Sequence, residues 1–142
     1  MAENTLASAE SYELFIYTIQ QQYPQIKVST LILVRSGKLF GELSGQLFFE
    51  GDVRLFARER LDFKNSVIKG YSYEVWQGTQ KLYWYDSQEH PNDPTLASTH
   101  PHHKHIPPDI KHHRIPAPGL RFDQPNLPFL IEEILATLAP KS

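Results

Sequence analysis

All seven histidines of this 142-residue chain lie between His90 and His113. Six fall into two short runs, HPHHKH at 100–105 and KHH at 111–113. Asp86, Asp93 and Asp109 border or share the stretch, as do Pro91, Pro94, Pro101, Pro107 and Pro108. Prolines so spaced bar a continuous helix or a central strand. The segment therefore reads as an extended loop loaded with groups that titrate near neutral pH.

Four chemistries compete for it. In the first, His100, His102, His103 and His105, with Asp86 or His90, hold a metal, since imidazole suits zinc, nickel or copper. No spacing matches a zinc finger or a HExxH helix, and Lys104 inside the cluster repels a cation. In the second, the loop cleaves RNA without a metal. That reaction needs a base for the 2′-hydroxyl proton, an acid for the leaving oxygen and cations for the phosphate. Histidines near their ordinary pKa serve as base and acid, and Lys104, Arg58 and Arg60 supply cations. The third reading is a binding module that grips an anion or a partner without chemistry. In the fourth, a histidine–tyrosine network merely pins the loop.

The elements that must position these groups are legible from periodicity. Tyr12, Phe15, Ile16, Ile19 and Tyr23 form one helical stripe, predicting a helix over 8–23 with Ser8 as N-cap and Pro24 beyond its end. Residues 26–86 alternate as an antiparallel meander with turns at Ser36-Gly37-Lys38, Glu50-Gly51-Asp52, Lys64-Asn65-Ser66 and Gln77-Gly78-Thr79. Residues 87–125 are the His/Pro-rich connection. A second helix, 126–139, has Asn126 as cap, Pro128 in its first turn and a stripe of Leu127, Leu130, Ile131, Ile134, Leu135 and Leu138, with Glu132 and Glu133 outside. The expected fold is α+β, one domain over 1–142, with a five-stranded antiparallel meander. Both helices would cover one face of it and the histidine loop would cross one end.

The strand after Glu50-Gly51-Asp52 is the most informative. Val53, Leu55, Ala57, Leu61 and Phe63 point one way, while Arg54, Phe56, Arg58, Arg60 and Asp62 point the other. A basic face carrying Phe56 suits phosphate contact and base stacking on single-stranded nucleic acid. A plain solvated strand face also explains it, since polar alternation is the norm for a sheet wet on one side. Glu59 breaks the pattern by falling on the apolar side. It sits near an end, pairs with a buried base, or belongs to a site.

Composition bounds the function. The formal charge is −2, and protonating all seven histidines moves it to +5. A strongly basic grip on long duplex DNA is not indicated. With no cysteine, disulfides, zinc–thiolate centres and cysteine nucleophiles are excluded. MAENTLASAESYELF has no basic run followed by an apolar one, so a secretory signal is not expected, and no stretch approaches the ~20 apolar residues of a membrane span.

Read in order, Leu61-Asp62-Phe63, Tyr71-Ser72-Tyr73, Tyr85-Asp86, His90-Pro91, Pro101-His102-His103-Lys104-His105-Ile106 and the C-terminal amphipathic helix resemble the TumE-type toxins of bacterial toxin–antitoxin modules. The likeness spans about residues 28–138, and PHHKHI with the preceding Tyr-Asp is its specific part. Glu74 stands where that family often has histidine. The resemblance implies a small cytoplasmic toxin held in check by a cognate antitoxin and acting on RNA, with no cofactor and no membrane, while self-association stays open. The chemistry assigns acid–base roles to His102, His103 and His105, and phosphate contacts to Lys104 and to Arg54, Arg58 and Arg60 beside Phe56. Tyr85, Asp86 and His90 are supporting groups. A non-catalytic partner within such a module, and a metal-binding protein, are the alternatives.

Overall fold

Apolar residues at every second position build the strands. The computed structural model describes residues 4–87, 103–106, 114–116 and 119–138. Its sheet runs from β1 (Val28–Ser29) and β2 (Ile32–Ser36) through β3 (Phe40–Phe48), β4 (Val53–Asp62), β5 (Val67–Gln77) and β6 (Gln80–Asp86) to β7 (His103–His105) and β8 (Arg114–Pro116). β1 and β2 both pair with β3, so these eight segments occupy seven positions, each antiparallel to its neighbour.

The strand count exceeds the five expected. His103-Lys104-His105 is a proline-free run within the proline-rich stretch, long enough to pair with β6 on one side and β8 on the other. β8 closes with Pro116, a residue that edge strands tolerate because its missing N–H is not needed by a further neighbour.

The edge strand is interrupted between β1 and β2, where Thr30 and Leu31 cross close over Gly45. A Cβ on Gly45 would sit 2.5 Å from the Thr30 carbonyl oxygen, and its φ of +143° is a conformation that side chains resist. Gly45→Ala is therefore expected to lower the unfolding free energy by about 2 kcal/mol or more. Urea denaturation measures this, and a loss within error would show that the crossing simply relaxes.

The N-terminal helix forms as its stripe predicts, in two pieces, α1 (Ala9–Tyr17) and α2 (Ile19–Gln22). Ser8 caps α1: its hydroxyl accepts from the Ser11 N–H, and the Ser11 hydroxyl accepts from the Ser8 N–H. At the junction the Thr18 hydroxyl donates to the Leu14 carbonyl, a local bond that competes with the helical ladder. The C-terminal helix, α3 (Leu127–Thr137), carries Pro128 in its first turn. Asn126 does not cap it. Its amide is taken instead by the backbone N–H and carbonyl of Arg121 and by the Tyr73 hydroxyl.

Tyr12, Phe15, Ile16 and Ile19 from the first helices join Leu127, Leu130, Ile131 and Ile134 from α3 over Leu43, Leu47, Leu55, Ala57, Leu61, Tyr73 and Val75 of the sheet. The helices thus cover one face, as expected. Among the described residues, no helix is long and apolar enough to cross a membrane.

Candidate functional site

The open face of the sheet carries the arginine row. Along β4, Arg54 and Phe56 are half-buried and Arg58 and Arg60 exposed, while Val53, Leu55, Ala57 and Glu59 are buried beneath. A bulge opposite Arg60–Leu61 puts the extra residue, Lys69, in β5, while the pairing of β4 with β3 runs unbroken to Asp62 opposite Phe40. Asp62 keeps the parity of the row but is buried at its end, where it accepts from the Lys64 and Asn65 N–H groups and the Asn65 amide.

Register carries the row across to the histidine strand. Arg58 lies opposite Ser72, Ser72 opposite Asp86, and Asp86 opposite His103. The next row is Phe56, Glu74, Trp84 and His105. Residues directly opposite share a face, so Arg58 and Asp86 stand on the same surface, two strands or ~10 Å apart.

At the far end of that surface His105 is held from two directions. Its ring stacks on Trp84 at 4.1 Å and 21°, and its Nε2 lies 3.1 Å from Asp86 Oδ2. The same carboxylate oxygen accepts from the Trp84 indole N–H at 3.3 Å. Lys81 covers Trp84 at 4.3 Å and Trp76 at 5.5 Å, and the Arg54 guanidinium lies 5.0 Å from the Trp76 ring. Cations and indoles therefore alternate from β4 to β6, each contact favoured by the ring quadrupole. Glu74 braces the column by accepting from the Trp76 N–H at 2.9 Å. His105 is only 2% exposed.

The opposite face holds a second polar cluster. Tyr85 lies opposite Lys104 in register. The Tyr85 hydroxyl donates to both carboxylate oxygens of Glu133 on α3 at 2.9 Å, and Lys104 Nζ sits 3.3 Å from one of them. The Lys104 ammonium also lies over the rings of Tyr83 at 4.2 Å and Tyr85 at 5.2 Å. Burial first, and the Glu133 charge second, push both phenols well above the ordinary tyrosine value, so they act only as neutral hydroxyls.

The residues singled out from sequence are therefore divided. Arg54, Phe56, Arg58, Arg60, Asp86 and His105 share the open face. Lys104 and Tyr85 lie on the helix-covered face, away from Arg58. His103 takes the register position opposite Asp86, and His90 and His102 lie outside the described residues, as do His100, His112 and His113. Among the described residues, no group of three or more histidine or acidic side chains is arranged to hold a metal.

Sequence reasoning passed over Trp76, Lys81 and Trp84, whose column depends on register, and it placed Glu133 outside with Glu132. The available signal for Glu133 was its place three residues after Leu130, on the flank of the apolar stripe.

Glu59 pairs neither with a base nor near a strand end. Fully buried, it accepts hydrogen bonds from the Tyr12 and Tyr73 hydroxyls, one on each oxygen.

A family model described as Toxin TumE matches residues 16–138. No curated protein and no solved structure matches the chain.

Proposed function

The chain belongs to the TumE toxin family, and from that membership we propose that it is the toxin of a toxin–antitoxin module, acting on RNA by metal-independent cleavage and restrained by a cognate antitoxin. The observation that carries the RNA reading is the shared face: exposed Arg58 is in register with Asp86, Phe56 with His105, and exposed Arg60 follows two residues along the same side of β4.

In this reading the RNA backbone lies along Arg58 and Arg60, with Arg54 reinforcing the field and Phe56 offering a stacking surface. His102, His103 and His105 share the acid–base work. With Asp86 ionised, His105 Nε2 carries the proton it donates to that carboxylate. Asp86 thereby fixes both ring orientation and tautomer. Lys104, paired with Glu133, supports the strand rather than the phosphate.

The burial of His105 favours a second reading, a protein that binds RNA on the same face without cutting it. One assay separates the two. Purified protein is incubated with a labelled single-stranded RNA at fixed ionic strength, with and without EDTA. Cleavage that persists in EDTA supports the enzyme, whereas retention without cleavage supports the binder.

In either case Arg58→Ala/Arg60→Ala is expected to weaken RNA binding about tenfold or more and to reduce the salt slope by about 1.4, from ~0.7 per lost phosphate contact on a single strand. Filter binding at several salt concentrations checks this. An unchanged slope would place the RNA elsewhere.

A further inference from the structure

The histidine strand β7 has only three residues, His103-Lys104-His105, and two of its three side chains are of one type. A strand this short is weakly specified in register, and a slip of one residue exchanges its two faces. The alternative register here has an attraction of its own. It would set Lys104 opposite Asp86, an acid–base pair, and turn His105 inward beside Tyr85. Backbone pairing with β6 is no guide, because either register forms a ladder.

Besides the His105 contacts with Trp84 and Asp86, the helix-covered face distinguishes them. In the observed register, Tyr85 and Lys104 are directly opposite on the helix-covered face. Glu133 of α3 binds both, accepting from the Tyr85 hydroxyl at 2.9 Å and meeting the Lys104 ammonium at 3.3 Å. The two side chains of that ion pair are each 20% exposed, so the attraction is less screened than on an open surface. Tyr85 and Tyr83 place their ring faces against the same ammonium. The slipped strand would lose the carboxylate and both rings at once.

We propose that Glu133 is a positioning residue that locks the register of β7, holding Lys104 under the sheet and thereby His105 on the arginine face beside Trp84 and Asp86. Its consequence for catalysis rests on the RNA-cleaving reading above, but its effect on the strand does not.

The test compares wild type, Glu133→Gln, Glu133→Leu and the charge-reversed pair Lys104→Glu/Glu133→Lys by NMR. The reporters are the His105 ring protons, shifted by the stacked Trp84 indole, and the Trp84 indole N–H bonded to Asp86. Glu133→Leu is expected to move both resonances toward values for unstacked rings and to cut RNA cleavage about 100-fold, the size of effect a misplaced catalytic group produces. Glu133→Gln keeps an acceptor for Tyr85, so it folds, and it shows the same changes at smaller amplitude. The reversed pair restores the wild-type resonances.

Unchanged Trp84 and His105 signals in Glu133→Gln and Glu133→Leu would overturn the lock. So would a reversed pair that stays perturbed while its circular dichroism matches wild type. If the wild type cleaves no RNA, the enzymatic reading fails, and the resonances still decide the lock.

Discussion

Glu59→Ala is expected to destabilise the fold by about 3–5 kcal/mol, the largest stability effect of any single substitution considered. Glu59 is fully buried on the strand face that otherwise carries Val53, Leu55 and Ala57. Its two oxygens accept from Tyr12 on α1 and Tyr73 on β5. The Tyr73 hydroxyl in turn accepts from the Asn126 amide at 3.2 Å, and Asn126 holds the chain entering α3. One carboxylate thus joins both the N-terminal and the C-terminal helix to the middle of the sheet.

Removing it strands two buried hydroxyls, each costing about 1–3 kcal/mol, and leaves a space that the packed core cannot readily fill. Tyr12→Phe and Tyr73→Phe each remove one donor and should cost less, about 1–2 kcal/mol. Urea denaturation of the three variants measures the series. A Glu59→Ala cost no greater than that of either Phe variant would show that the carboxylate is not the centre of the network.

The same residue gives the protein a pH signature. Burial, outweighing the two hydrogen bonds, pushes the Glu59 carboxyl above its ordinary value of 4.5. Between that value and the higher folded one, the folded chain binds more protons than the unfolded chain. Stability from this group therefore falls as pH rises through the window and is fully present below it. Asp62, held down chiefly by the Asn65 side chain, and Asp123, held down chiefly by Arg121, act in the opposite sense at lower pH. The informative quantity is thus the wild-type stability minus that of Glu59→Gln. That difference should decline from pH 4.5 upward. A difference that rises would mean that the carboxylate is favoured in the fold.

Local periodicity made most of this architecture legible. The stripe from Tyr12 to Ile19, the alternation along β4 and the stripe of α3 each follow from one element's own burial, which a sequence displays directly. Ser8 is readable as a cap for the same reason. What escaped depends on partners far apart in the chain. Nothing in the local sequence says that His103-Lys104-His105 pairs with β6, because the surrounding prolines dominate the signal. Nor can parity alone tell which of Lys104 and His105, adjacent in the strand and so on opposite faces, lies under the helices. That follows only once Tyr85 is known to lie opposite Lys104.

Glu59 is the instructive case. Its wrong parity flagged it from sequence, and a base was the natural partner to expect. The structure satisfies the carboxylate with two phenols, which donate hydrogen bonds without adding a second buried charge.

Under the proposed RNA cleavage, Asp86→Asn is expected to lower the cleavage rate by about 10²–10⁴-fold while leaving RNA affinity within about twofold of wild type. Among the described residues, one oxygen of Asp86 meets both His105 Nε2 at 3.1 Å and the Trp84 indole N–H at 3.3 Å. Asparagine keeps the shape but removes the charge and replaces one acceptor oxygen with a donor. If the amide nitrogen faces His105, Nε2 must become the acceptor and the proton moves to Nδ1, reversing which ring nitrogen can take one up. If the amide oxygen faces His105, the tautomer survives but the charge that favours the imidazolium is gone. Either outcome weakens proton transfer at the end of the arginine row.

Arg58 and Arg60 are untouched by the change, so phosphate contact persists. Single-turnover cleavage together with filter binding therefore distinguishes the positions on one face: loss of cleavage with binding retained for Asp86→Asn, loss of binding for the arginine pair. Equal cleavage by Asp86→Asn and wild type would remove His105 from the chemistry. The acid–base work would then fall to His102 and His103.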